Sequence, residues 1–320
     1  MHDGLEERNR LWSIILAGGE GKRTRPFIRR WLGRAKPKQY CAFVGTRSML
    51  QHTVDRADQL ASSEQRVIVT KQAHDRRGWL KLPGRPVGTV VRQPSDRGTA
   101  AGIFLPLTYV RARDPGATVV IYPSDHFIYP EKPFLEAVRQ AVRATELFPE
   151  RLVLLGVAPN KLDPEYGWIW PERVLSCPHE CTIRSVERFE EKPASDQARA
   201  AMASGALWNT LVFAAKAETM WKLGWRCMPE VISLFEQLGD AIGLAVENAM
   251  IDSIYRVMPV RNFSSDLLAR VADQIATVEL KGVLWSDWGK PRRIADTVMR
   301  LGMKPAFPFE CLALRRHAAG

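Results

Sequence analysis

The first half of the chain alternates short apolar runs with helix-like stretches, and this alternation is the feature that most constrains the fold. Continuous apolar runs lie at 12–17 (WSIILA), 66–70 (RVIVT), 88–91, 118–122 (TVVIY) and 152–157 (LVLLGV). Stretches with a helical spacing of apolar residues separate them, at 49–60, 99–113 and 131–147. Buried strands of a parallel sheet have this length and character, and strands that alternate with helices form doubly wound sheets. We therefore predict an α/β fold with a doubly wound central sheet.

The second half has longer loops and shorter elements. It contains β-like pieces at 168–170 and 182–189, and helical patterns at 194–204, at 217–254 and after residue 290. No Gly/Ser-rich or Pro-rich linker separates it from the first half, as tethered domains would require. We predict one continuous domain over 10–300, made of halves at 10–160 and 161–300, with a C-terminal tail at 301–320.

The composition favours a soluble, cytoplasmic protein. With 320 residues, of which 46% are hydrophobic, the chain can bury a large core. It has no apolar run long enough to cross a membrane, and its charged beginning, MHDGLEERNR, does not resemble a secretory signal. Five cysteines at scattered positions predict reduced thiols. Cys177 and Cys181 lack the second ligand pair of a structural zinc site, so we expect no zinc there.

A glycine-rich stretch follows the first apolar run directly. Residues 16–26 read LAGGEGKRTRP, and the segment from Lys22 to Lys38 holds eight Lys or Arg residues and no acid. Glycines leave successive backbone N–H groups open to phosphate oxygens, while Arg and Lys add positive charge. The spacing matches neither GxGxxG nor GxxxxGK[ST], so it indicates neither a dinucleotide site nor a P-loop. Together with Arg23 and Lys38, the stretch predicts a site for a triphosphate.

The same stretch resembles the N-terminal signature of the sugar-phosphate nucleotidyltransferases, LAGGxGxR followed by PKQ. Here LAGGEGKR is followed by KPKQY. Further motifs occur in the family's order: QPSDRGTAA at 93–101, YPSDH at 122–126, YGWI at 166–169, FEEKP at 189–193, LWN at 207–209 and WSDWG at 285–289. Within the family, these spellings most resemble the mannose-1-phosphate guanylyltransferases. The resemblance implies the doubly wound, Rossmann-like α/β fold of the nucleotidyltransferases, with a mixed, mostly parallel central sheet.

The resemblance also implies a role for each matching residue of the nucleotide-binding half, 10–160. The expected contacts to the nucleotide are Leu16, Ala17, Gly18, Gly19, Gly21, Arg23, Lys38, Gln93, Arg97, Gly98 and Thr99. The expected catalytic residues are Arg23, Lys38 and Asp125. Asp125 follows a predicted strand at its carboxyl end, where ligands of such sheets bind. Asp125 and Asp287 are the expected ligands of Mg²⁺, which takes few protein oxygens beside phosphates and waters.

The second half, 161–300, is expected to bind the sugar phosphate. The residues implied are Gly167, Glu191, Lys192 and Asn209: a glycine that leaves space, an acceptor, a cation and an amide that both donates and accepts. The implied substrates are GTP and mannose 1-phosphate. The resemblance is compatible with a homodimer and implies no nucleic-acid or membrane partner. Thr210 and Leu211 depart from the family's usual WNSG.

Alternatives stay open at the level of the sequence. The net charge of +11 and the ten tryptophans suit a nucleic-acid-binding protein, but the basic segment 22–38 contains only Phe27 and Trp31 as aromatic residues. A nucleotidyltransferase for glucose 1-phosphate, or for dTTP, UTP or ATP, would carry similar motifs. A catalytically inactive relative that senses a sugar nucleotide is disfavoured, because the chain has Arg23, Lys38, Asp125 and Asp287.

Overall fold

A computed structural model describes residues 10–175 and 182–312, so the Cys177 and Cys181 pair lies outside the described residues. Two sheets are present in that part of the chain. The larger contains β1 (Leu11–Leu16), β2 (Arg66–Lys71), β3 (Thr89–Gln93), β4 (Thr118–Pro123), β6 (Leu152–Val157), β7 (Gly167–Leu175), β8 (Ile183–Glu191), β9 (Leu207–Lys216) and β10 (Ile275–Glu279). The smaller pairs β5 (Phe127–Tyr129) with β11 (Leu284–Ser286).

The described helices are mostly short. They are α1 (Arg25–Leu32), α2 (Met49–Ala57), α3 (Gln72–Asp75), α4 (Gly98–Arg113), α5 (Glu131–Leu147), α6 (Ser195–Ala203), α7 (Ala217–Cys227), α8 (Pro229–Gly239), α9 (Glu247–Val257), α10 (Phe263–Asp266) and α11 (Pro291–Arg300). Local sequence sets several of their ends. Ser48 and Gln51 form a capping box at the start of α2, and Gly33 ends α1 at φ +70°. No helix in the described ranges is long and apolar enough to cross a membrane.

The larger sheet is mixed, with most strands running in one direction. Its nine strands lie in the order β3-β2-β1-β4-β9-β6-β10-β8-β7. Strands β1 to β4 are parallel to their neighbours within that group, and β6 is parallel to β10. Strands β8 and β9 run opposite to the others. The predicted α/β fold with a mixed, mostly parallel sheet is therefore confirmed, and the carboxyl ends of β1 to β4 meet at one edge.

Two apolar layers cover the larger sheet. Alternate residues of β1 show this directly, because Ile14 packs in one buried cluster and Ile15 in the other. The first cluster includes buried residues of α4, α7, α8 and α9, and the second includes those of α2, α5 and α6. A sheet covered by helices on both faces explains why its central strands read as continuous apolar runs.

A third, smaller cluster lies outside the sheet. Phe27 of α1, Phe43, Trp288 and Phe307 are all buried in it. The Phe27 and Phe307 rings meet edge to face, with centroids 5.2 Å apart. The described part of the predicted tail, 301–312, thus packs onto the domain, although the boundary at residue 300 stays a prediction.

Candidate active site

The glycine loop, residues 17–22 after β1, is held from behind by the motif that follows α1. Gln39 donates its side-chain amide to the carbonyls of Ala17 and Gly19, both at 2.8 Å. The Tyr40 hydroxyl donates to the Ala17 carbonyl at 3.0 Å. These bonds fix the carbonyl side of the loop. They explain why the PKQY motif accompanies the glycines, because its Gln and Tyr side chains orient the loop.

The N–H side of the same loop is left open. Within residues 10–175 and 182–312, the backbone N–H groups of 18–22 donate to no protein acceptor. Gly21 has φ +58°, a left-handed turn that favours glycine, and a Cβ on Gly18 would lie 2.8 Å from Gln93 Oε1. Successive N–H groups of this kind form a concavity that binds anions. The predicted phosphate-binding loop therefore has the donors that such a role needs.

Asp125 lies beside the glycine loop because β4 is the parallel neighbour of β1. Ser124 donates its N–H to the Leu16 carbonyl at 3.1 Å, which aligns the ends of the two strands. The Lys38 ammonium is buried and lies 3.1 Å from Asp125 Oδ2. His126 Nε2 lies 3.6 Å from Asp125 Oδ1, and burial lowers the pKa of this histidine. The predicted catalytic pair of Lys38 and Asp125 is thus in direct contact.

Asp287, which follows β11, joins Lys38 and Asp125 in one cluster of charged residues. Lys38 donates to its backbone carbonyl. Its Oδ1 accepts hydrogen bonds from the Tyr166 hydroxyl at 3.0 Å, from Arg293 Nη1 at 2.7 Å and from the Gly289 N–H at 3.0 Å. Burial by itself would raise the pKa of Asp287, but the neighbouring cations lower it to about 2. This carboxylate is therefore ionised at neutral pH.

Arg23 reaches the same cluster from the solvent side. Its side chain is 52% exposed, and its Nη1 lies 3.1 Å from Glu165 Oε2. Arg293 is 7% exposed and donates from Nη2 to Asp163 at 2.6 Å and to Glu165 at 2.8 Å. Burial opposes the charge on Arg293, but the surrounding carboxylates, Asp287 foremost, raise its pKa. Arg293 and Glu165, which hold Asp287 and Arg23 in place, were not predicted from the sequence.

The donor set at this edge suits Mg²⁺. Lys38 contacts the carboxylate of Asp125 and the backbone carbonyl of Asp287, so both aspartates lie around one cation beside the open N–H groups. No group of three or more His, Cys, Asp or Glu side chains within the described residues is arranged to hold a metal ion. Mg²⁺ takes one or two carboxylates together with phosphates and waters rather than an all-protein cage. The two aspartates therefore fit a Mg²⁺ ion that binds with a nucleotide, which stays a prediction.

The predicted nucleotide contacts after β3 have structural partners. Gln93 is buried and donates to the Tyr255 hydroxyl at 3.0 Å, while Arg97 Nε donates to the Tyr255 carbonyl at 2.7 Å. A Cβ on Gly98 would lie 2.1 Å from a backbone oxygen of the segment before α10. The Thr99 hydroxyl oxygen accepts from the first N–H of α10 at 2.8 Å. These bonds tie the loop after β3 to α9 and α10, and a contact to nucleotide stays a prediction for all four residues.

The predicted sugar-phosphate residues lie together where β7, β8 and β9 meet. Gly167 pairs with Glu191, and a Cβ on Gly167 would lie 2.7 Å from Glu191 Oε2 and 3.5 Å from Asn209 Cβ. Lys192 Nζ lies 2.9 Å from Glu191 Oε1. Asn209 Oδ1 accepts the Leu211 N–H at 3.0 Å. The four residues thus form one polar group, whose binding of a sugar phosphate stays a prediction.

Fold and site together define a class of protein. The chain matches the family model described as nucleotidyl transferase over residues 12–302, and it belongs to that family. A curated relative, the mannose-1-phosphate guanylyltransferase of Escherichia coli K12, is 26% identical over 294 residues, which cover 88% of this chain and 58% of the relative. The mannose-1-phosphate guanylyltransferase ManC of Salmonella typhimurium LT2 is 26% identical over 294 residues, covering 89% and 59%. The chain thus spans less than two thirds of the length of these relatives.

Solved structures show the same fold. One described as mannose-1-phosphate geranyltransferase from Thermus thermophilus aligns with a TM-score of 0.74 at 22% identity, covering 89% of this chain and 79% of that chain. A UDP-glucose pyrophosphorylase from Acinetobacter baumannii aligns with a TM-score of 0.55 at 16% identity, covering 91% and 93%. These likenesses support the Rossmann-like architecture of the nucleotidyltransferases.

Proposed function

We propose that this chain transfers the guanylyl group of GTP to mannose 1-phosphate and releases pyrophosphate. The observation that carries the proposal is the row of open N–H groups in the glycine loop beside the Lys38–Asp125 pair. Such donors and a buried cation match the charge of a polyphosphate. The choice of GTP and mannose 1-phosphate follows the names of the curated relatives.

In the proposed reaction, a phosphate oxygen of the sugar 1-phosphate attacks the α-phosphorus of the nucleotide in line. The new O–P bond forms as the bond from the α-phosphorus to the bridging oxygen breaks, and that electron pair leaves with pyrophosphate. A sugar phosphate is ionised at neutral pH, so no protein base is required. Catalysis then depends on orienting the two phosphates and offsetting their charge.

Different residues of the cluster bind the phosphates and offset their charge. The glycine loop binds phosphate oxygens through its N–H groups, and Arg23, exposed enough at the surface to leave Glu165, contacts the β- and γ-phosphates. Lys38 offsets charge at the α-phosphoryl group. Asp125 and Asp287 would hold Mg²⁺, which when bound adds positive charge at the same place. Lys38 and Arg293 keep Asp287 ionised, and the hydrogen bond from Arg293 orients it.

The acceptor side follows from the polar group at β7, β8 and β9. Lys192 binds the acceptor phosphate, and Glu191 and Asn209 accept from and donate to sugar hydroxyls. Gly167 lets the Glu191 carboxylate lie close to the backbone of β7, because a Cβ at this position would come within 2.7 Å of Glu191 Oε2. In the strand order of the sheet, this group lies on the β9 side of β4, whereas the glycine loop follows β1 on the other side of β4. In the proposed reaction the two substrates therefore approach the cluster from opposite sides.

Pyrophosphate release tests the proposal. Purified protein is mixed with Mg²⁺, one of GTP, ATP, UTP or dTTP, and mannose or glucose 1-phosphate. We expect GTP with mannose 1-phosphate to be the preferred pair. Asp125→Asn and Arg23→Ala should each lose on the order of a hundredfold or more in rate. Arg29→Ala is the matched control, since Arg29 is an exposed cation of the same basic segment.

Several outcomes would contradict the proposal. Turnover of Asp125→Asn or Arg23→Ala at the level of Arg29→Ala would remove that residue from the mechanism. Preference for another nucleotide or sugar phosphate would keep the reaction type and change the substrates. No turnover with any pair, together with salt-sensitive binding of nucleic acid in a gel-shift titration, would favour the alternative of a nucleic-acid-binding protein.

A further inference from the structure

Lys71 links the glycine loop to the loop after β3. It is the last residue of β2, and its side chain is 11% exposed. Its ammonium lies 2.8 Å from Glu20 Oε1 and 3.2 Å from Asp96 Oδ2. The hydrogen bond from Lys71 is the largest cause of a lowered pKa at Glu20. Two carboxylates on different loops thus converge on one nearly buried cation, and the proposed mechanism gives this arrangement no role.

The sheet order places Lys71 on the opposite side of the glycine loop from Asp125. Lys71 ends β2, and Asp125 follows β4, with β1 and its glycine loop between them. Neighbouring strands are about 4.8 Å apart, so the two positions are about 10 Å apart across the sheet edge. A nucleotide with its α-phosphate beside Asp125 and its phosphates on the glycine loop has its base one ribose further on. The opposite direction, toward β9, leads to the polar group assigned to the sugar.

Two of the three ammonium hydrogens of Lys71 are taken by Glu20 and Asp96. Within residues 10–175 and 182–312, Lys71 has no further acceptor for the third. Asp96 is held in turn, because its Oδ1 accepts the Gly98 N–H at 3.1 Å. Its side chain is 62% exposed, so it stays open to a ligand. A ligand at the loop after β3 would therefore meet a positively charged donor, Lys71, beside a negatively charged acceptor, Asp96.

We infer that Lys71 and Asp96 select guanine. Lys71 donates to guanine O6, and Asp96 accepts from the neighbouring N1–H and N2–H₂ groups. Adenine reverses this pattern, with an amino group in place of O6 and an acceptor at N1. Uracil retains an acceptor at O4 but places O2, a second acceptor, against the carboxylate. Glu20 acts as a positioning residue that holds Lys71 under the glycine loop.

This inference rests on the proposed function, so its test measures binding separately from turnover. Titration calorimetry with GTP, ITP, ATP and UTP, in Mg²⁺ and without sugar phosphate, gives a Kd for each nucleotide. ITP keeps O6 and N1–H but lacks the 2-amino group, so it isolates that contact. We expect wild-type protein to bind GTP more tightly than the other three.

Two variants report on the two contacts. Lys71→Met should reduce the preference for GTP over ATP by on the order of tenfold to a hundredfold, because the variant can no longer donate a hydrogen bond to guanine O6. Asp96→Asn should narrow the GTP-to-ITP and GTP-to-UTP ratios in the same way. Asp96→Asn keeps an acceptor for Gly98 N–H at an exposed position, so it should fold even if Lys71→Met does not. Lys71→Arg should restore part of the preference over ATP.

The matched control is Arg92→Gln, which breaks an ion pair of 2.6 Å with Asp75 at the same sheet edge and should leave all ratios unchanged. Equal weakening of every nucleotide in Lys71→Met and Asp96→Asn would overturn the inference, because a purely structural link between loops predicts that result. Wild-type protein that binds ATP or UTP as tightly as GTP would also overturn it. Selective GTP binding without turnover of any sugar phosphate would instead contradict the proposed function alone.

Discussion

At the scale of single residues, Asp287 shows how much of a site a motif can and cannot predict. The WSDWG motif identified this aspartate as a candidate metal ligand, because the residues next to it in the chain match a motif of the family. Its partners Tyr166 and Arg293 donate to the same oxygen at 3.0 Å and 2.7 Å. Arg293 stands among other cations in GKPRR and has no distinguishing sequence signal. Its role depends on carboxylates more than a hundred residues earlier, which only the fold brings to it.

The low pKa of Asp287 predicts a pH dependence of stability. The pKa lies at about 2 in the folded protein against 3.8 for the free group. A depressed pKa contributes stability that is present above the unfolded value and is lost as the pH falls through the folded value. We expect the free energy of unfolding to lose about 2 kcal/mol from this group between about pH 5 and about pH 2. Urea titrations at several pH values measure it.

Asp287→Asn provides the comparison for this effect. Its stability should be lower at neutral pH, because Arg293 loses an anionic partner, but it should lack the part of the acid-induced loss that Asp287 causes. The difference between the two proteins should therefore shrink as the pH falls from about 4 to about 2. Curves for wild type and Asp287→Asn that stay parallel over this range would show that Asp287 has an ordinary pKa.

At the scale of elements, the sequence predicted the strands that the sheet buries on both faces. β1 to β4 and β6 lie within a few residues of the predicted runs, since a continuous apolar run is typical of such strands. β9 and β10 were not predicted. β9 pairs with β4 and β6, which are distant in sequence, and its first residues were interpreted as a sugar-binding motif. The helical pattern predicted at 217–254 forms three helices, α7, α8 and α9. Pro229 separates the first two, because it is the first residue of α8.

Leu211 within β9 is a position where local geometry opposes the residue present. It has φ +56°, where the family usually has glycine, and the β6–β9 pairing shifts register nearby. We expect Leu211→Gly to change the free energy of unfolding by less than about 1 kcal/mol, because relief of left-handed strain offsets the loss of a half-buried side chain. Val212 is buried at 1% exposure, and Val212→Gly should cost about 3 kcal/mol.

Urea unfolding of Leu211→Gly and Val212→Gly distinguishes these two effects. Both variants replace an apolar residue of the same strand by glycine, so the difference between them combines the deeper burial of Val212 with the relief of left-handed backbone at Leu211. Equal losses of stability would mean that the left-handed conformation at Leu211 costs nothing.

At the scale of the whole molecule, residues that are distant in sequence belong to the same sheet and to the same apolar cluster. The larger sheet interleaves strands of both predicted halves, with β9 between β4 and β6. The cluster of Phe27, Phe43, Trp288 and Phe307 joins α1 to the segment after α11. Trp288 directly follows Asp287, so the packing of this cluster also supports the candidate site. The sequence of residues 301–312 does not predict that this segment packs on the domain, because the burial of Phe307 depends on rings far away in sequence.

The third cluster predicts that the segment after α11 stabilises the molecule. Phe307 is 3% exposed and meets Phe27 edge to face, so Phe307→Ala should leave a cavity and lower the free energy of unfolding by about 3 kcal/mol. Phe309, at 42% exposure, is the matched control, and Phe309→Ala should cost less than about 1 kcal/mol. Urea titration measures both variants. Because Trp288 packs in the same cluster, Phe307→Ala should also weaken the proposed binding of GTP. Equal and small effects of the two variants on stability would show that residues 301–312 act as a tail.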